Sequence, residues 1–232
     1  MAVLHRIIFS FISRATIISL LLCFSFSVSA QQKKMVTVAE EDTIPLFRGI
    51  AISADLVGIG MMTLYDYGTY EAALRINLKD KYFPVVEVGI GKADADDDVT
   101  RLVYKTTAPF GRIGLDLNFL KNKHDDYRVY GGLRYAFTSF KYDLQAPTLT
   151  DPVWGGVVPY GGKDLSSSCH WAEFNVGIDA KIWGPLRLGW NYRYKRRIQK
   201  KKTDMGHVWY IPGYGKDGAA CMVAQFNVIF EI

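Results

Sequence analysis

The sequence predicts an all-β fold, an eight-stranded antiparallel up-and-down barrel of the transmembrane type. Three observations predict it. Eight segments alternate apolar and polar side chains with a period of two, the links between them are alternately short and long, and the last segment runs to the end of the chain behind a secretory leader.

The leader comes first in the chain. His5 and Arg6 precede an apolar run from Ala15 to Val28, and Val28-Ser29-Ala30 before Gln31 offers the small residues that a signal peptidase reads. Residues 1–30 are therefore expected to be a cleaved signal peptide. An uncleaved anchor from Ile7 to Val28 is disfavoured by Arg14 and the interspersed serines, and a lipoprotein by the leucines before Cys23. A short polar periplasmic segment, 31–46, is expected to lead into the barrel at 47–232. The net charge of +5 is mild and gives no reason to invoke nucleic acid. An aromatic content of 14% with 21 glycines suits strands and turns better than helices.

Gly49 to Gly60 is the first segment, with Ile50, Ile52, Ala54 and Leu56 on one face and Ser53 and Asp55 on the other. In the second, Tyr70, Ala72, Leu74, Ile76 and Leu78 alternate with Glu71, Arg75, Asn77 and Lys79. The third sets Pro84, Val86, Val88 and Ile90 against Glu87, Gly89 and Gly91. The fourth sets Ile113, Leu115, Leu117 and Phe119 against Arg112, Gly114, Asp116 and Asn118. In the fifth, Val129, Leu133, Tyr135 and Phe137 oppose Arg128, Arg134 and Thr138. In the sixth, Ala172, Phe174, Val176, Ile178, Ala180 and Ile182 oppose Glu173, Asn175, Asp179 and Lys181. Leu186, Leu188, Trp190, Tyr192 and Tyr194 oppose Arg187, Asn191 and Arg193 in the seventh. Met222 to Ile232 alternates in the eighth, with Ile232 where an outer-membrane barrel usually ends on an aromatic.

A soluble barrel with a greasy interior would alternate too, so the connections carry the choice. Links after the second, fourth and sixth segments are short and those after the first, third, fifth and seventh are long, the outer-membrane arrangement. Tyr82, Phe119, Tyr127, Trp183 and Phe230 near the short turns, and Tyr70, Phe137, Phe174, Tyr192 and Tyr194 near the long loops, have the placement of two interfacial girdles. On this reading the polar face is internal, and it holds acids Asp55, Glu71, Glu87, Asp116, Glu173, Asp179 and Glu231 with bases Arg75, Arg112, Arg134, Lys181, Arg187 and Arg193. Such balance favours a paired, hydrogen-bonded filling over an ion pathway, because an eight-stranded barrel is just wide enough for its own side chains.

Trp183-Gly184-Pro185, Leu188-Gly189-Trp190, Arg193-Tyr194-Lys195, Tyr210-Ile211-Pro212-Gly213-Tyr214-Gly215, Ser168-Cys169 and Trp171 resemble motifs of a family of small outer-membrane barrels from Bacteroidota with no assigned function. The resemblance runs from about Phe47 to the end and implies the barrel fold without implying catalytic or binding residues. The architecture is also similar to the OmpA/OmpX class.

Several side-chain groups merit a function of their own. Ser168 and His170 with Glu173 close behind supply a nucleophile, a base and an orienting acid, the parts of a lipid A acyl hydrolase or transferase. Lys195, Arg196, Arg197, Lys200, Lys201 and Lys202 open the last long loop, at the height of lipopolysaccharide phosphates. Asp94, Asp96, Asp97 and Asp98 lack the spacing of a calcium loop, and His124 and His207 are isolated, so no metal and no cofactor is expected. Cys169 and Cys221 are candidates for a disulfide between loops. Tyr210 to Gly215 reads as a turn whose aromatics pack on the barrel mouth.

The expected function is that of a non-enzymatic outer-membrane barrel with a salt-bridged interior and long external loops for surface or envelope interaction. Its expected partners are outer-membrane lipid, lipopolysaccharide and, during folding, the barrel-assembly machinery, with oligomeric state left open. A lipid A-modifying enzyme and a carrier of a small apolar ligand are the alternatives.

Overall fold

Period-two patterning gives the eight expected wall strands in a computed structural model. The structure describes residues 45–96, 101–145, 149–150, 155–158, 161–201, 203 and 208–232. The expected signal peptide and most of the segment 31–46 lie outside these residues.

The wall strands are β1 (Phe47–Asp55), β2 (Tyr67–Leu78), β3 (Tyr82–Asp96), β4 (Val103–Asn118), β5 (Tyr127–Gln145), β8 (Gly161–Trp183), β9 (Leu186–Lys200) and β12 (Ala220–Glu231). They close in the order β1-β12-β9-β8-β5-β4-β3-β2, every neighbour antiparallel. Two small hairpins lie outside the wall, β6 (Leu149–Thr150) with β7 (Val157–Val158), and β10 (Tyr210–Ile211) with β11 (Gly215–Lys216). Closure removes the free edges that an open sheet would expose. At the seam, Ile50 and Ile232 exchange both backbone hydrogen bonds at 2.8 Å, and the Gly49 backbone lies so close to the Ile232 carbonyl that a Cβ would sit 2.4 Å from its oxygen.

Side-chain orientation follows the sequence reading. Leu74, Ile113, Leu133 and Val88 look outward, 44%, 62%, 68% and 60% exposed, while Arg75, Glu87, Arg112 and Asp116 are buried within. Tyr82, Phe119, Tyr127, Trp183 and Phe230 are exposed near the short turns, and Tyr70, Phe137, Phe174 and Tyr192 are exposed at the other end.

Three corrections concern the ends of strands. The first segment does not continue to Gly60, because α1 (Leu56–Leu64) begins where Asp55 accepts hydrogen bonds from the amides of Val57 and Gly58 at 3.0 and 3.1 Å, an N-cap that turns the backbone out of the sheet. The link after the third segment is short, because β3 and β4 stay paired up to Asp96 and Val103. β8 and β9 likewise reach well past the expected girdle, to Gly161 and Lys200.

In these extensions the alternation persists with its polarity reversed. Ala93, Tyr104, Ala108, Phe140, Tyr142, Leu144 and Trp171 point inward and form the apolar core, while Lys92, Asp94, Lys105, Thr107, Ser139 and Lys141 point outward and are exposed. One strand therefore shows its greasy face outside along one part and inside along the next.

Candidate functional site: the filled lumen and its two mouths

Seven acids (Asp55, Glu71, Asp80, Glu87, Asp116, Glu173, Asp179) and seven bases (Arg75, Arg112, Arg128, Arg134, Arg187, Arg193, Lys195) are buried within the ring. Six of the bases are arginine, whose planar fork satisfies two carboxylate oxygens at once. Around Glu87 the guanidinium groups of Arg112, Arg134 and Arg193 converge. Arg112 also meets Glu71 at 2.6 Å and Glu173 at 2.9 Å, and Arg134 passes on to Asp116 at 2.9 Å. Trp171 Nε1 donates to Glu173 at 2.6 Å. Nearer the short turns, Asp179 receives Arg75 at 3.0 Å and Arg187 at 2.7 Å, and Arg75 lies over the Tyr130 ring at 4.7 Å. A lone charge here would be costly, so the pairing explains how an ionic interior is tolerated. Among the described residues, Asp55 alone of the seven buried acids has no cationic side chain within ion-pair distance; the amides of Val57, Gly58, Phe226 and the Gln225 side chain hydrogen-bond to it instead.

Two members of the expected network sit differently. Lys181 is exposed at the rim, where a register shift between Lys181 and Trp183 turns the end of β8 outward. Glu231 is only partly buried and pairs with Arg128 at 2.9 Å. Arg128, Asp80 and Lys195 are members the inward list lacked. Arg128 was legible from the alternation of its own strand. Asp80 lies in a turn, where period two gives no signal.

The outer mouth is filled by the last long connection. The turn from Val208 to Tyr214 folds into the ring, with Tyr214 N donating to the Ile211 carbonyl at 3.0 Å. Tyr104 OH donates to the Tyr210 carbonyl at 2.7 Å, Arg112 to the Gly213 carbonyl at 2.9 Å, and Lys195 Nζ to the same carbonyl at 2.7 Å. Gly213 has φ of 79°, and a Cβ there would come within 2.4 Å of the Phe110 ring. At Gly91 the space for a Cβ is taken by Pro212, 2.7 Å away. Trp171 and Tyr214 pack edge to face at 5.7 Å. The aromatics fill the space that an apolar ligand carrier would need.

The opposite mouth is a polar cleft of about 250 Å³, lined by residues that include Asp80, His124, Arg128, Arg187 and Glu231. Asp80 receives His124 Nδ1 at 2.7 Å, Arg48 at 3.2 Å and Arg128 at 3.4 Å, with Asn77 Nδ2 at 2.6 Å. Burial raises the Asp80 carboxyl, but the bonds from Asn77 and His124 and the charges of Arg48 and Arg128 outweigh it and hold the group below its ordinary value.

The enzyme alternative does not assemble. Positions 168 and 170 share the outward side of β8, whereas Glu173 is inside in the arginine cluster. His170 Nδ1 is engaged by Tyr135 OH at 2.8 Å and its ring stacks with Phe137. The candidate disulfide is not formed, since Cys169 and Cys221 are both free. Cys169 pairs across the ladder with Lys200 and Cys221 with Lys195, on opposite sides of β9. That offset places the two thiols roughly 17 Å apart along the strand direction, beyond the reach of a bridge.

The basic run is divided because β9 continues through it. Lys195 is buried on the plug, Arg197 and Lys200 both pair with Asp217, and Arg196 and Lys201 are exposed. Lys202 lies outside the described residues, as do Asp97, Asp98 and His207. Asp94 pairs with Lys105 at 3.1 Å across β3 and β4.

No match emerges among curated protein sequences. Among solved structures the chain is similar to neisserial surface protein A, with 10% identity and a TM-score of 0.42 over 80% of this chain and 97% of that one. It is also similar to a major outer membrane protein from Thermus thermophilus, with 14% identity and a TM-score of 0.43 over 79% and 98%. A third likeness is to Ail, the attachment invasion locus protein of Yersinia pestis, with 10% identity and a TM-score of 0.36 over 79% and 93%. The family model described as a domain of unknown function, DUF6048, matches residues 12–232, and the chain belongs to that family.

Proposed function

We propose that this protein is a non-conducting, non-enzymatic outer-membrane barrel that holds an extended sheet and its loops above the bilayer for contact with the cell envelope or its surroundings. The reversal of polarity within single strands carries the reading. In β4, Ile113 and Leu115 face out while Arg112 and Asp116 face in; ten residues earlier in the same strand Tyr104 faces in and Lys105 faces out. A charge facing hydrocarbon at the midplane costs about 2–4 kcal/mol, so the outward apolar stretch is explained by lipid and the outward polar stretch by water. Asp116, Glu87 and their arginines then face a lumen closed by ion pairs and by the aromatic turn.

Arg196 and Lys201, exposed above the girdle, are the residues of the basic run suited to lipopolysaccharide phosphates, each near-surface charge contributing on the order of 1 kcal/mol. Delivery by a cleaved signal peptide and assembly by the barrel-folding machinery belong to the same reading. Cell fractionation with a heat-modifiability gel tests the location, and outer-membrane recovery with a faster-migrating unheated band is expected. Recovery as a soluble periplasmic protein would overturn it. In planar bilayers no stable single-channel steps are expected, and large ones would defeat the closed lumen.

A further inference from the structure

Tyr67 and Trp209 meet at the outer mouth with their ring planes at 81° and their centroids 5.7 Å apart, two walls of a corner. One wall belongs to β2, where Tyr67 pairs with Ala93 of β3, and the other to the turn that fills the mouth. Packing from behind fixes both rings. Tyr210 lies 5.5 Å from Tyr67 and 6.3 Å from Trp209, and Tyr104 lies 6.0 Å from Trp209. The Trp209 carbonyl accepts the Asp217 amide at 3.0 Å. Neither ring is fully covered, and Tyr65, 62% exposed and 6.3 Å from Tyr67, extends the same aromatic surface.

The corner already holds a cation. Lys216 pairs with Tyr210 across β10 and β11, and its Nζ stands 5.2 Å from the centre of the Tyr67 ring and 5.3 Å from that of Trp209. The negative faces of both rings attract it. That distance leaves a gap which an ammonium hydrogen only partly crosses. An N-methyl carbon lies about 1.5 Å from its nitrogen, so a methylated ammonium centred on the Nζ position would bring carbon to about 3.7 Å from either ring centre, the range of carbon–carbon contact. A lysine ammonium also gives up hydrogen bonds to water when it faces a ring, whereas a quaternary ammonium has none to give up. Lys216 is itself exposed, so withdrawing its side chain returns the charge to water.

We propose that Tyr67 and Trp209 form a binding site for a quaternary ammonium group, which displaces Lys216 from the corner. The site requires only the folded barrel with its mouth filled, so its test does not depend on where the barrel resides. The protein, with fluorotryptophan incorporated, is folded in a maltoside detergent and titrated with tetramethylammonium chloride. Fluorine NMR follows the Trp209 resonance, identified by its loss in Trp209→Phe. A saturable shift is expected, and none with ammonium chloride. Lys216→Ala is expected to tighten binding about tenfold, the scale of two cation–π contacts withdrawn from a competitor. Tyr67→Leu, with folding checked by its heat-modifiable band, is expected to weaken binding at least about tenfold, while Tyr67→Phe keeps it within about threefold. No saturable shift in Lys216→Ala, equal binding by ammonium, or undiminished binding in folded Tyr67→Leu would overturn the proposal. Nanodiscs of phosphatidylcholine and of phosphatidylglycerol separate two sources of the group. A Trp209 resonance displaced in the first alone assigns it to a lipid headgroup, and a resonance alike in both that moves only with added choline assigns it to a soluble ligand.

Discussion

Arg193 and Glu87 reach each other across the full width of the barrel. They sit on β9 and β3, four places apart in a ring of eight, and the guanidinium donates to both carboxylate oxygens, at 2.8 and 2.9 Å. Arg75 on β2 and Asp179 on β8 form a second diametric bar, at 3.0 Å. These bars fix the spacing of strands that share no ladder.

Removing a shared partner from such a bar leaves buried arginines without an anion. Glu87→Ala is expected to destabilise the folded barrel by about 3–5 kcal/mol, measured by urea unfolding in vesicles. A double-mutant cycle with Arg193→Ala is expected to be non-additive, since Glu87 also serves Arg112 and Arg134.

The plug depends on a glycine that nothing else replaces. Gly213→Leu drives a side chain into Phe110 and places a branched residue at positive φ, so the turn is expected to leave the mouth. Chymotryptic cleavage at Tyr210 or Tyr214 is expected to rise by an order of magnitude or more while the heat-modifiable band persists, following the population of the opened turn.

Acid titration reports on the turn-end mouth. The Asp80 carboxyl lies below its unfolded value, so its contribution to stability is present above that value and is lost as pH falls through the folded one. Asp80→Asn is expected to lower stability by about 1 kcal/mol at neutral pH, with the difference from the native protein closing toward pH 2. A difference that widened in acid would contradict the assignment.

Two helix glycines provide a matched comparison. Gly58 is pressed against Thr69, whereas a Cβ on Gly60 meets nothing within 4 Å. Gly58→Leu is expected to cost stability by about 1–3 kcal/mol through overpacking, while Gly60→Leu is neutral or stabilising because leucine favours a helix over glycine. Paired denaturant curves measure both.

Denatured protein that begins at Gln31, and so lacks Cys23, is expected to take up two alkyl groups without reductant, at Cys169 and Cys221. Intact mass before and after reduction checks it. A gain that required reductant would restore a disulfide.

The part of the fold with apolar side chains outside and charged ones inside was legible because that arrangement imposes one strict alternation on eight segments. The ends of the strands were not. At Lys92 to Ala108 the period continues while its sense reverses, and a search for outward grease stops at the reversal. At Lys195 to Lys200 the outward position 196 is itself charged, so the contrast between faces fades, and Lys195 was read as a surface charge of a loop although its parity with Asn191 and Arg193 puts it inside. Helix α1 was hidden in Leu56 to Leu64, an apolar stretch compatible with either periodicity until the cap at Asp55 is seen. The diametric pairs are beyond sequence reading, because they depend on which strands closure sets opposite one another.

The strands are of unequal height. β5 and β8 run to 19 and 23 residues, while β1, β2 and β12 have 9, 12 and 12. The rim is consequently tall on one flank and low on the other, and the low flank is where α1 stands. In the membrane reading proposed above, a cylinder with such a rim has a heading in the plane of the lipid around it. Spinning about its own axis would swing the tall flank past successive neighbours, so whichever neighbour docks on that flank also fixes the direction in which the low flank points.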